Sequence, residues 1–310
     1  MTSSAADNVY VLRFTFHVSR ITHHVCRRLV PAVVRRYHDP AMPTFFDTHA
    51  HLDYPDFSQD LPELVERARV AGIERIISIG TDVESSRRAI ALAERFEGVF
   101  AVAGWHPTHV LEAPEDLRPA LRELVKHPKV VAVGETGLDY YRLPSRQPGG
   151  TPSNDEAYKR KQALIFQQQL EVAAETGLNC VIHQRAALED TLTILQPFAS
   201  RVRGQFHCFA DDAAAMRRIV AMGSLVSFTG ILTFKNGQNI RDALAATPMG
   251  HFMLETDCPY LAPMPYRGKR CEPAYVKEIA DVAAQVKGCS LDELSATTCD
   301  TAREFFHKLK

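Results

Sequence analysis

The sequence predicts a (β/α)8 barrel, and three observations lead to it. Short apolar, β-branched runs alternate with amphipathic helical stretches from Pro43 to the end of the chain. There are eight such runs, the number that closes a parallel sheet on itself instead of leaving it open. Histidines and acidic residues recur at the carboxyl ends of these runs, the face on which a barrel assembles its active site.

In chain order, a strand at 44–47 is followed by a helix at 61–71, and RIISI at 75–79 by a helix at 84–96. VFAVA at 99–103 and VVAV at 130–133 come next, with a helix at 115–126 between them. NCVI at 179–182 follows a helix at 156–176, and GQFH at 204–207 follows one at 186–198. A helix at 211–222, SLVSF at 224–228, a helix at 239–246 and HFML at 251–254 complete the eight repeats, and helices at 273–287 and 291–308 end the chain. Strands that read as continuous apolar runs are buried on both faces, as in a parallel sheet covered by helices. Residues 142–155 (RLPSRQPGGTPSND), rich in Pro, Gly and Ser, read as a long loop, and their nearness to Glu135 makes them a candidate lid. No G-x-G-x-x-G follows the first strand, which argues against a dinucleotide-binding fold.

Residues 1–42 read as an amino-terminal extension outside the fold, and 43–310 as one barrel domain. Residues 1–41 hold six Arg, no Lys and only Asp7 and Asp39 as acids, a balance of +4. Ile21, Val25, Leu29 and Val33 recur every four residues among the arginines, a transit-like pattern broken at Pro31. The other reading is an upstream extension ahead of a natural start at Met42. The remaining 30 basic and 35 acidic residues leave the barrel at −5, unsuited to coating polyanions. Seven scattered cysteines without a CxxC pair fit a reducing compartment. No apolar stretch approaches the roughly 20 residues of a membrane span. The expected location is cytoplasmic, or mitochondrial if residues 1–41 act as a transit segment, with no membrane and no obligate protein partner.

The chemistry is written at the strand ends. His49 and His51 stand two apart after the first strand, so in extended backbone both imidazoles point the same way. Glu135, His183, His207 and Asp257 follow the fourth, fifth, sixth and eighth strands, and His106 follows the third. Six N and O donors far apart in sequence converge only if the barrel reading is right. Such donors suit Mg2+, Mn2+ or Zn2+, and two divalent cations bridged by Glu135 would suit hydrolysis. Asp257 combines a ligand position with a general-base position.

These residues sit in segments that resemble the TatD family of metal-dependent deoxyribonucleases. The segments are Phe46-Asp47-Thr48-His49-Ala50-His51-Leu52-Asp53, Gly104-Trp105-His106-Pro107 and Val133-Gly134-Glu135-Thr136-Gly137-Leu138-Asp139-Tyr140. Gln162 and Phe166, Val181-Ile182-His183-Gln184-Arg185-Ala186, His207-Cys208-Phe209 and Leu254-Glu255-Thr256-Asp257-Cys258-Pro259-Tyr260-Leu261 follow in order. The resemblance implies an amidohydrolase-type barrel, two divalent metals and hydrolysis of DNA, often from the 3′ end. It implies His49, His51, Glu135 and Asp257 around one metal, and Glu135, His183 and His207 around the other. Two departures stand out: Cys271 before Glu272-Pro273 and Asp300 near the carboxyl terminus, each where the family usually has Asn. Neither is a presumed ligand.

His106, Arg185, Arg267 and Arg270 are the candidate substrate contacts, with Lys269 beside them and Tyr140, Tyr141 and Tyr260 placed to stack on bases. Thr229, Gly230 and Lys235 lie after the seventh strand, where barrels of this type often hold phosphate. The expected function is a two-metal DNase acting as a 3′–5′ exonuclease on single-stranded nucleic-acid ends. The rivals are hydrolysis of a C–N or ester bond, as in an aminoacyl-tRNA deacylase or cyclic amide hydrolase, and an inactive binding protein. Glu135 stands where many amidohydrolases carry a bridging carboxylated lysine, which favours the nuclease.

Overall fold

The computed structural model describes residues 43–309 apart from Gln147 and Gly149, so the expectation for residues 1–42 lies outside the described residues. Eight parallel strands hydrogen-bond in chain order: β1 Phe45–Ala50, β2 Ile73–Ile79, β3 Val99–Ala103, β4 Val130–Asp139, β5 Asn179–Arg185, β6 Gly204–Phe206, β7 Leu225–Phe228 and β8 Phe252–Leu254. Helices α1 (Leu61–Val70), α2 (Val83–Arg95), α3 (Arg118–Leu124) and α4 (Pro152–Thr176) follow the first four strands. Helices α5 (Leu188–Leu195), α6 (Ala213–Ala221), α7 (Gln238–Ala246), α8 (Val276–Lys287) and α9 (Leu291–Phe305) complete the outer layer. The predicted barrel is what forms, and its last seam is short. Asp257 N donates to His49 O and His51 N to Cys258 O, both at 2.9 Å, and Ala50 pairs with Cys258 just past β8.

The period-two geometry of the strands sorts their side chains between two cores. Phe46, Ile77, Ile79, Phe100, Val102, Val131, Val181, Leu225 and Met253 cluster together, and Phe305, Phe306 and Leu309 join them from the end of the chain. Other apolar strand residues, among them Phe45, Ile76, Val99, Val130, Ile182 and Phe228, belong to a second cluster with residues of the helices. Fully burying each such large side chain contributes about 1.5–3 kcal/mol, so this interior is a rigid base for whatever stands above it.

Two elements differ from the sequence reading. β4 and β5 run on to Asp139 and Arg185, pairing Gly137 with His183 and Asp139 with Arg185, so the motif residues are themselves strand residues. The segment 142–155 is not one long loop. Pro144–Arg146 forms a turn, and α4 starts at Pro152, a residue whose fixed φ and missing N–H suit a helix's first position. The Asp155 carboxylate accepts from Ser145 N at 2.9 Å and Ser145 Oγ at 2.6 Å, tying the turn to the helix.

Candidate metal centre

The six candidate donors meet at the carboxyl-terminal mouth of the barrel, as expected if sequence-distant strand ends share one face. Glu135, 2% exposed, sits at the middle and its two oxygens face different partners. Oε2 lies 3.4 Å from His49 Nε2 and 3.8 Å from His51 Nε2. Oε1 lies 2.8 Å from His207 Nε2 and 3.0 Å from His183 Nδ1. Asp257 closes the first group, its Oδ1 being 3.6 Å from His49 Nε2 and 3.3 Å from His51 Nε2. Asp257 holds φ at +57°, an uncommon backbone state for a residue with a side chain and one that clusters at functional sites.

Do these residues fit a cation? Buried polar atoms are normally hydrogen-bonded, yet His49 Nε2 and Glu135 Oε2 have no hydrogen-bond partner. Both point into the cluster, with only N and O donors around them, so the donor set fits a divalent cation. His183 Nε2 faces the acceptor-only Asp139 Oδ2 at 3.1 Å, so Nε2 carries a proton and Nδ1 is the free donor atom. His106 differs. Its Nδ1 accepts from Thr108 N at 3.1 Å, which leaves the neutral ring's proton on Nε2, 3.1 Å from Glu135 Oε1. His106 is thereby a hydrogen-bond donor to this centre.

The titration behaviour follows from burial and charge. Burial pushes His49 and His106 down to about 4, so both are neutral rings at pH 7. Burial also works against charge on His183, but the Asp139 and Glu135 carboxylates on either side overcome it and raise the ring to about 9. Burial likewise opposes the charge on Glu135, yet His207 and His106 hold it well below the usual carboxylate range. Without a cation, the carboxylates of the cluster likewise raise the proton affinity of His51 and His207 against the burial that lowers it.

Behind the donors lies a polar layer that the motif reading did not assign. Asp47 Oδ1 accepts from Thr256 N at 2.9 Å and Oδ2 from Thr256 Oγ1 at 2.6 Å, fixing the turn into Asp257. Glu255 accepts from Ser227 Oγ at 2.6 Å, Gln205 Nε2 at 2.9 Å and Cys208 N at 2.6 Å, which orders the backbone just after His207. Gln162 bonds Asp139 N at 3.0 Å and Pro107 O at 3.2 Å, joining α4 to two strand ends. Asp47, Thr256, Glu255, Gln162 and Asp139 lie inside the quoted motifs, but motif spacing alone does not tell a ligand from the residue that supports one.

The mouth cations divide into two kinds. Arg185 lies with its guanidinium 4.0 Å above the Tyr141 ring, and Arg267 lies 3.9 Å above Phe234. Arg270 instead donates to Asp60 Oδ1 at 2.8 Å and Oδ2 at 2.7 Å, and to Asp56 O at 2.6 Å. It braces the loop after β8 against α1, because a paired carboxylate already meets its charge. Cys271 is fully buried next to it, away from solvent.

A family model described as TatD related DNase matches residues 46–307. The chain belongs to the TatD family. The TatD-family chain is 37% identical over 262 residues to an uncharacterized metal-dependent hydrolase, YabD, of Bacillus subtilis, spanning 84% of this chain and 98% of that one. It is 34% identical over 268 residues to a protein of Erwinia amylovora named 3′-5′ ssDNA/RNA exonuclease TatD, spanning 84% of this chain and 99% of that one. The crystal structure of the TatD homolog YJJV from Escherichia coli K12 superposes with a TM-score of 0.76 at 26% identity, over 85% of this chain and 98% of that one. This TatD-family chain is a metal-dependent hydrolase. Among the described residues no helix is long and apolar enough to cross a membrane.

Proposed function

We propose that this chain is a two-metal phosphodiesterase that removes nucleotides from single-stranded nucleic-acid ends. The divided carboxylate of Glu135 carries the reading, because each oxygen faces its own set of imidazoles. His49, His51 and Asp257 with Oε2 would hold one cation, and His183 Nδ1 and His207 Nε2 with Oε1 the other. When bound, such a pair supplies Lewis-acid polarisation of a phosphoryl oxygen and a water that ionises near neutral pH. Mg2+, Mn2+ and Zn2+ all suit these donors.

The chain's own groups supply the rest. Asp257 Oδ1 faces His49 and His51, which leaves Oδ2 to take a proton from the attacking water. His106 holds its neutral Nε2–H against Glu135 Oε1 and would turn it to a phosphoryl oxygen without a change of charge. Arg185 and Arg267 provide cationic planes at the rim, enough for the few phosphates of a strand end and too few for a long duplex. The name of the Erwinia amylovora relative supports nucleic acid as the substrate class.

The test uses single-stranded oligonucleotides blocked at the 3′ or the 5′ terminus, alongside a circular strand, with Mg2+ or Mn2+ added. Stepwise shortening of linear strands, weak action on blunt duplex and none on the circle is the expected result. Equal cleavage of circle and linear strand would refute end dependence. Hydrolysis of an aminoacyl ester or cyclic amide, with no nucleic acid cut, would transfer the centre to C–N or ester chemistry.

A further inference from the structure

We infer that Tyr141 and Tyr260 are two nucleobase-stacking platforms on opposite rims of the mouth, and that together they restrict the substrate to unpaired bases. The inference rests on the nucleic-acid reading above and adds the residues that would enforce strand selectivity.

Sequential strand order sets the geometry. In a barrel ordered β1 to β8, the seam between β8 and β1 lies across the mouth from the β4–β5 pair. Tyr260 follows β8 and Tyr141 follows β4, so the metal centre lies between them. Each is mounted on a residue of that centre. Tyr260 N donates to Asp257 O at 3.0 Å, and Tyr141 N donates to Asp139 Oδ1 at 2.9 Å, the carboxylate that also holds His183. The Tyr260 ring centre lies 6.5 Å from that of His51 and 6.4 Å from that of Tyr54, and Tyr54 itself stacks on His51 at 4.6 Å. The Arg185 guanidinium lies over the Tyr141 ring at 4.0 Å and the Arg146 guanidinium at 5.6 Å, so cations for phosphate adjoin this ring and a base would share it with them.

Exposure separates these rings from structural tyrosines. A tyrosine that fills a loop buries its ring and satisfies its hydroxyl. Tyr140 is partly buried against the core and its hydroxyl donates to Asp190 Oδ2 at 2.7 Å. Tyr141 and Tyr260 are 51% and 54% exposed, and among the described residues neither hydroxyl has a hydrogen-bond partner. Leaving two large rings half exposed loses apolar burial that a loop gains by folding them in. A flat base restores it. Stacking on an aromatic ring tolerates any base, but both bases flanking the cut must be free of a partner strand for their faces to reach rings on opposite rims.

The experiment compares the unaltered protein with Tyr260→Leu, Tyr141→Leu and the two Phe variants. The substrates are three single-stranded oligodeoxynucleotides of one sequence. One bears every base, and the others have an abasic residue at the terminal or the penultimate position. Each Leu variant should raise KM for the full strand by roughly 5- to 150-fold, the ratio that corresponds to stacking one base, with kcat changed only a few-fold. On the strand lacking the base that its tyrosine would hold, the same variant should cost nothing further, and Phe should restore the unaltered KM. Losses that are equal on full and abasic strands, or no loss at all, would overturn the inference while leaving the nuclease reading intact. Failure of the unaltered protein to cut any strand would overturn both.

Discussion

Replacing Asp139 by Asn isolates the control that one carboxylate exerts over the metal centre. Its Oδ1 accepts from Tyr141 N at 2.9 Å and Arg142 N at 2.8 Å, bonds that an amide oxygen can keep at about 1 kcal/mol each. Its Oδ2, 3.1 Å from His183 Nε2, becomes an NH2 group. Two donors cannot face each other, so His183 must accept at Nε2 and move its proton to Nδ1, the atom aimed at Glu135 Oε1 from 3.0 Å. A protonated Nδ1 cannot ligate. The expected loss at the His183–His207 site is about 10- to 100-fold in metal affinity, the usual effect of removing such a partner. The site formed by His49, His51 and Asp257 should keep its affinity, and the melting temperature of the metal-free protein should move by only a few degrees. Calorimetric titration of chelator-stripped protein with Mn2+ measures both sites. Unchanged affinity at both, in a folded variant, would refute the tautomer argument, as would a loss confined to the first site.

Exhaustive chelation should abolish hydrolysis and Mg2+ or Mn2+ should restore it; full activity with no metal left by elemental analysis would refute the centre. Asp257→Asn should lower kcat by at least about a hundredfold in a folded protein, and an active variant with unchanged metal content would remove Asp257 from the reaction. Burial pushes the Asp47 carboxyl up to about 8 from 3.8, against the Thr256 bonds that pull it down. The folded state therefore keeps a proton that the unfolded chain releases, so the contribution of Asp47 to the stability of the metal-free protein is fully present below pH 3.8 and is lost as the pH rises toward 8. Asp47→Asn should flatten that decline in denaturant titrations across this range, and an unchanged slope would place the proton elsewhere. A shortened chain starting at Met42 contains all six donors and the whole matched segment, 46–307, and should fold and retain activity; insoluble or inactive protein would show that the removed residues are needed.

The barrel was legible because each strand is a continuous apolar run, and parallel sheets buried on both faces impose that pattern. The donors were legible because a barrel gathers its strand ends, distant in sequence, on one face. Three features were not. The Arg270 charge is taken up by Asp60, a partner 210 residues away that no local pattern connects to it. Asp139 and Asp47 stand in plain view within the motifs, but their oxygens had to be placed before support could be told from ligation. The start of α4 was hidden because Pro152 was counted with the loop's other prolines and glycines, although proline is also a good first helical residue.

The seam that closes the barrel has a consequence for when activity can arise. The bonds joining β1 to the segment after β8 run from Asp257 N to His49 O and from His51 N to Cys258 O. The residues that fasten the first strand to the last are thus the donors themselves or their direct neighbours. During synthesis His49 and His51 leave the ribosome some two hundred residues before Asp257, so a nascent chain short of Asp257 lacks one donor of the first group and has no closed sheet. The hydrolase can switch on only when the last strand docks, in the same event that completes the fold. A polypeptide interrupted before Asp257 would be released without a complete set of donors.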